Sequence, residues 1–162
     1  MKKRNHLPFY GVGPMIGFVM VATTVIGIGL SCFGYLDFGK IDFLRVPLTV
    51  IGTALVAFGV YLFYGAHYKA RLFEQVEKNK LVTTGVYAIV RNPVYSGILS
   101  ICTGAVCVAA NWVLFVIPVF CWGFMTVVLI FSEEKWLKEL YGDEYIHYCR
   151  RTNRCIPWFP KD

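Results

Sequence analysis

Long stretches of this chain lack charge. No Asp, Glu, Lys or Arg occurs in residues 5–36, 46–68 or 92–132. Charged side chains make up 16% of the 162 residues, against about 25% in an average soluble domain. Hydrophobic residues make up 57%, and the mean hydropathy is +0.56. A soluble chain this small has too little interior to hide so many apolar side chains, so lipid is read as the solvent. The apolar stretches hold no Asp, Glu, Lys or Arg to line a path, which argues against coupled ion transport. Also absent are a Walker motif, a dinucleotide fingerprint placed after a strand, and an HExxH pair. No internal repeat or low-complexity segment occurs. The six cysteines (Cys32, Cys102, Cys107, Cys121, Cys149 and Cys155) have neither zinc-site nor disulfide-framework spacing. They are expected to act as small apolar residues, with no metal bound.

What is present fits a membrane. A bilayer core of about 30 Å needs about 20 helical residues, so the first two charge-free stretches each fit one span. The third covers 41 residues and would reach roughly 60 Å as one helix at about 1.5 Å per residue. It must fold back, and Asn111-Trp112 is the polar break near its middle. The expected fold is an all-α integral membrane protein with four transmembrane helices, near 14–35, 47–68, 93–110 and 113–131. Residues 1–162 form one membrane domain, with cytoplasmic elements at 69–95 and 132–160. Met1-Lys2-Lys3-Arg4 resembles the start of a signal peptide, but the apolar part is too long and begins late. The first span is expected to be retained.

Lys and Arg set the orientation. Four spans place both termini on one side, which then holds 14 of the basic residues, with only Lys40 and Arg45 opposite. That asymmetry puts the termini and the 69–92 loop in the cytoplasm, at the plasma (inner) membrane if the source is bacterial. The net charge of +6 reflects this bias and attraction to anionic lipids. The dispersed basic residues give no nucleic-acid surface. The sequence gives no oligomeric state.

Past the fourth stretch, Trp136, Leu137, Leu140, Tyr141, Tyr145 and Tyr148 recur at three- and four-residue steps, opposite Lys135, Lys138, Glu139 and Glu144. This predicts a C-terminal amphipathic cytoplasmic helix, kinked at Gly142, lying on the membrane or capping the bundle. Trp158 and Phe159 suit an interfacial anchor. Near the N-terminus, GVGPMIG (residues 11–17) is read as close helix packing through Gly13 and Gly17.

Two stretches carry candidate chemistry. In GVYAIVRNPVYSG, residues 85–97, Pro93 suits a first helical turn. The following N–H groups, near Val94 to Ser96, would face the cytoplasm as an anion site. Arg91 adds positive charge, Asn92 a cap, Tyr95 a phenol, and Gly97 room for close approach. The plainer alternative is a capped span with a snorkelling arginine, and these residues alone do not choose between the two. Glu133 and Glu134 end the fourth stretch. A hairpin would bring them beside Pro93. Two acids at a helix C-terminus oppose the dipole preference, so a cation, a ribose hydroxyl or Arg91 must compensate.

LVTTGVYAIVRNPVYSG and EEKWLKELYGDEYIHYCRRTNRCIP together resemble the two signatures of the integral-membrane methyltransferases, which include isoprenylcysteine carboxyl methyltransferases and phospholipid N-methyltransferases. The resemblance spans about residues 81–160. It implies S-adenosylmethionine at the cytoplasmic face, contacted by Leu81, Val82, Tyr87, Asn92, Pro93, Val94, Tyr95 and Glu133. Asn92 stands where many relatives have histidine. Leu129 stands where the prenylcysteine enzymes have an arginine, so the acceptor stays open between a carboxylate, an amine and other nucleophiles. Arg150, Arg151 or Arg154 would substitute only if the C-terminal helix folds over the site.

The expected function is methyl transfer to a lipophilic small-molecule or lipid-modified substrate within membrane lipid. An amine acceptor needs a base, for which Glu134 and Tyr87 are the catalytic candidates. Two alternatives remain. One is an NADPH-dependent, sterol-reductase-like membrane enzyme, for which this chain is short. The other is a non-enzymatic scaffold, which would leave the acids and the Arg-Asn-Pro threshold without a shared purpose.

Overall fold

The computed structural model describes residues 11–69 and 80–159, the side chains of residues 68 and 69 excepted. Lys2, Lys3, Arg4, Arg71, Lys78 and Lys161, which contribute to the charge asymmetry, lie outside the described residues. Among the described residues seven α-helices follow in order: α1 (Gly13–Cys32), α2 (Arg45–Tyr64), α3 (Val86–Ile89), α4 (Pro93–Ala109), α5 (Val116–Phe131), α6 (Glu133–Tyr141) and α7 (Asp143–Arg151). No strand forms among the described residues, only two isolated bridges. The all-α membrane reading therefore stands.

Among the described residues three stretches, not four, are long and apolar enough to cross a membrane: Gly13–Cys32, Asp42–His67 and Trp112–Tyr141. The expected third span is α4, a shorter apolar helix of 17 residues. Pro93 opens it, and Ala110, in the left-handed region at φ 48° and ψ 48°, ends it.

The reversal after α4 falls where the Asn111 break predicts it. Asn111 is fully buried. Its side-chain oxygen accepts from the Val113 N–H at 3.0 Å, and its amide donates to Ser31 Oγ at 3.0 Å and the Leu36 carbonyl at 2.8 Å. The Ile41 N–H adds a bond to the Ala110 carbonyl at 2.8 Å. The residue that breaks the hydrophobic run thus ties the α4–α5 turn to the α1–α2 loop. Both polar atoms of its side chain find protein partners, as burial demands.

Glycines govern the packing of α2 on α4. A methyl group on Gly52 would lie 2.5 Å from the Gly104 carbonyl oxygen, and one on Gly59 would lie 2.5 Å from that of Gly97. Two glycine pairs, each spaced by seven residues, face one another and let the backbones touch. Small residues allow this close approach in helical membrane proteins. Because the obstacle is backbone, it does not swing aside. Gly59→Ala is therefore expected to cost about 1–3 kcal/mol and to lower the thermal unfolding midpoint. Gly123→Ala, with open space around the added methyl, is expected to leave it unchanged.

The expected single C-terminal amphipathic helix is corrected to two. Gly142, at φ 54°, ends α6 and opens α7. A backbone at this positive φ breaks the helix instead of bending it, and glycine tolerates the conformation. Across the break, Tyr145 and Tyr148 are buried against the rest of the protein.

Candidate active site

The two acids owe their position to a break at Ser132, whose φ of −119° and ψ of −86° interrupts the helix. Glu133 and Glu134 thus occupy the first turn of α6 and do not end α5. The expected clash with the helix dipole is corrected: the N-terminal end of a helix favours negative charge. The hairpin brings them to the start of α4, where the Tyr95 hydroxyl donates to Glu133 Oε1 at 2.5 Å.

The two acids have different surroundings. The Glu134 side chain is 3% exposed. Arg154 donates from Nε to Oε1 at 2.5 Å and from Nη2 to Oε2 at 3.1 Å. Arg91 Nη1 lies 3.4 Å from Oε1. A buried carboxylate needs such pairing. Hydrogen bonding to Glu134 in turn holds Arg154 more firmly protonated than usual. Arg91 also donates to Cys149 Sγ. Arg91 thus compensates one acid of the pair, as the sequence allowed, and its charge is committed to Glu134.

Glu133 is only partly buried and has no cation partner among the described residues. Burial raises its pKa, while hydrogen bonds from Tyr95 and the Val12 backbone pull the other way. Tyr87 lies nearby, 7% exposed. Burial pushes its phenol well above the ordinary range, and the charges of Tyr148 and Glu133 add to the shift.

The Arg-Asn-Pro threshold is held by the C-terminal tail. The Asn92 side chain does not cap α4, which corrects that expectation. It donates instead to the Arg154 carbonyl at 3.0 Å. Ser96 Oγ donates to the Cys155 carbonyl at 2.6 Å, and the Tyr148 hydroxyl to the Tyr87 carbonyl at 2.6 Å. The Arg91 N–H meets the Asn153 carbonyl at 2.8 Å, and the Trp158 N–H meets that of Ile89 at 3.2 Å. Residues 152–158 form a strap across α3 and the start of α4. Of the three arginines named as able to reach the site, Arg154 does so. Arg150 and Arg151 are exposed.

Pro93 is buried in the first turn of α4. Val82 and Val94 pack on a cluster of Leu62, Ala66, Val86, Tyr87 and Val90, and Leu81 is half-buried. Gly97 serves the contact with Gly59 of α2. Leu129 is buried with Tyr95, Ile16, Met20, Met125 and Cys155. No group of three or more metal-ligating side chains occurs among the described residues.

The sequence model of the phospholipid methyltransferase family matches residues 47–144. The chain belongs to this family. Protein-S-isoprenylcysteine O-methyltransferase B of Arabidopsis thaliana is 35% identical over 88 residues, 51% of this chain and 42% of that protein. The chain therefore spans less than half the length of this relative. No solved structure matches. The part matching the phospholipid methyltransferases includes the Arg-Asn-Pro threshold and both acids. Gly11–Gly13 and the strap bearing Arg154 lie outside it, yet both reach the acids.

Proposed function

We propose that this protein is a membrane-embedded methyltransferase that uses S-adenosylmethionine to methylate a lipophilic acceptor. The unequal acid pair carries the reading. Glu134 is neutralised by two arginines, whereas Glu133 stays accessible beside Tyr95 without a cation among the described residues. Such a carboxylate suits a ligand that carries hydroxyls and positive charge. The surroundings fit S-adenosylmethionine. Glu133 suits ribose hydroxyls, and the Tyr87 and Tyr95 rings suit a sulfonium. The Val94 and Tyr95 N–H groups, in the first turn of α4, suit a carboxylate. Leu81, Val82 and Pro93 supply apolar walls. Asn92 ties the threshold to the strap, and Gly97 seats α4 on α2.

When bound, S-adenosylmethionine supplies an activated methyl group on a good leaving group. The protein aligns donor and acceptor and excludes water. Tyr87 is a neutral phenol at neutral pH, so it is a hydrogen-bond donor for a ligand and a poor base. Glu134, with both oxygens engaged, positions Arg91 and Arg154. An ionised carboxylate acceptor needs no base.

The shorter α4 acts as a fourth crossing. Its 17 residues rise about 25 Å at about 1.5 Å each. It is hairpinned to α5, which lies in a stretch long and apolar enough to cross. Four crossings put both termini and the site on the cytoplasmic side, at the inner membrane if the source is bacterial, by the Lys and Arg asymmetry.

Calorimetric titration of the purified protein in lipid nanodiscs tests the cofactor. Saturable binding of S-adenosylmethionine, with none of NADPH, is expected. Binding of NADPH alone would favour the reductase-like reading, and binding of neither would contradict a cofactor site here.

A further inference from the structure

Gly13, which the sequence pattern assigns to helix packing together with Gly17, lies in a Gly11–Gly13 turn beside the candidate site. Gly11 has φ +50°, and a methyl group on it would lie 3.0 Å from Glu133 Oε1. A methyl group on Gly13 would lie 2.9 Å from the Tyr95 hydroxyl, yet 3.7 Å from the nearest ring carbons of Tyr95. Between the two glycines, the Val12 backbone lies close enough to the Glu133 carboxylate to favour its charged form. Gly17, one turn further along α1, behaves differently. A methyl group there would meet only Ile98 Cδ1, at the ordinary contact distance of 3.5 Å. A methyl group is thus tolerated at Gly17, and the positive φ accounts for glycine at position 11, which leaves Gly13 unexplained. Gly13 is helical, so backbone conformation does not demand glycine there. The demand comes from the hydroxyl opposite.

We propose that the Gly11–Val12–Gly13 turn is a positioning element of the cofactor site. It forms a wall against Tyr95 and Glu133 and fixes the hydroxyl–carboxylate pair in the arrangement that accepts the cofactor. Glycine is required at position 13 because any side chain displaces the Tyr95 hydroxyl from Glu133. This inference rests on the assignment of S-adenosylmethionine to Glu133, and it adds the first helix to a site otherwise built from α3, α4, α6 and the strap.

The test is a coupling measurement on the full chain in nanodiscs. S-adenosylmethionine affinity is read by calorimetry for the parent, Gly13→Ala, Tyr95→Phe, the double variant and Gly17→Ala. Gly13→Ala is expected to weaken binding about tenfold, the equivalent of one displaced hydrogen bond, and Gly17→Ala to leave it unchanged. In the Tyr95→Phe background the offending oxygen is gone, so adding Gly13→Ala is expected to cost less than twofold. A folding defect at Gly13 would persist in that background, so the cycle separates positioning from stability. The proposal is overturned if Gly13→Ala binds like the parent, or if the two losses multiply in the double variant. If the parent itself fails to bind S-adenosylmethionine, the cofactor assignment falls first, and this inference falls with it.

Discussion

Glu133→Gln is expected to weaken S-adenosylmethionine binding about 10- to 100-fold while leaving the unfolding midpoint within about 2 °C of the parent. The substitution keeps the shape and removes the charge. A hydrogen bond to a charged group contributes about 1.5–3 kcal/mol, and each 1.4 kcal/mol is about tenfold in affinity. The stability effect is small because Glu133 has no cation partner to strand among the described residues and is partly exposed. The same carboxylate predicts a pH dependence. Burial raises its pKa above the usual glutamate value, and the cofactor requires the ionised form. Affinity should therefore be full above that raised pKa and fall as the pH drops through it, at a higher pH than for an ordinary glutamate. Titrations across pH 4–8 check the sign. In Glu133→Gln this acid limb should vanish.

Arg154→Ala is expected to act on stability first. It leaves Glu134, with its side chain 3% exposed, facing only Arg91 at 3.4 Å. Removing one partner of a buried pair typically costs about 3–5 kcal/mol. Arg91 remains and Arg154 is partly exposed, so about 2–3 kcal/mol is expected, with a matching drop in the unfolding midpoint. Replacing the pair together, as Glu134→Gln with Arg154→Gln, should not recover that loss, because the buried Arg91 then loses its carboxylate partner. The strap should loosen in Arg154→Ala as well, and faster proteolysis within residues 152–159 would report it. Together the two predictions separate the acids: Glu133 is read by ligand affinity and Glu134 by folding.

Much of this organisation is legible in the sequence, for identifiable reasons. Charge-free runs and the Asn111 break encode the helices and the hairpin, because lipid tolerates few exceptions to backbone satisfaction. The hairpin in turn predicts the meeting of Tyr95 and Glu133. What stays hidden depends on backbone detail. The break at Ser132, which turns the acids from a helix end into a helix start, has no glycine or proline to announce it. The commitment of Arg91 and Arg154 to Glu134 depends on where the strap falls, and backbone carbonyls make most of its bonds to the threshold. Carbonyl acceptors leave no trace in residue identity. The seven-residue spacing of Gly52 with Gly59 and of Gly97 with Gly104 was a readable signal for the α2–α4 contact. It stands in two distant segments and declares itself only when they are paired. Gly13 looks like an ordinary packing glycine until the Tyr95 hydroxyl is placed opposite it.

The central claim is that this member of the phospholipid methyltransferase family moves a methyl group from S-adenosylmethionine to a lipophilic acceptor at the Tyr95–Glu133 centre. The most direct measurement incubates the purified protein in nanodiscs with methyl-labelled S-adenosylmethionine and a native lipid extract. Mass spectrometry then follows the label. The account predicts label in a discrete lipophilic product, whose mass separates carboxylate from amine acceptors, and a large loss of that product with Glu133→Ala. Label transfer undiminished by Glu133→Ala would contradict the site. No labelled product from the parent, together with no binding of S-adenosylmethionine, would contradict the enzyme reading itself.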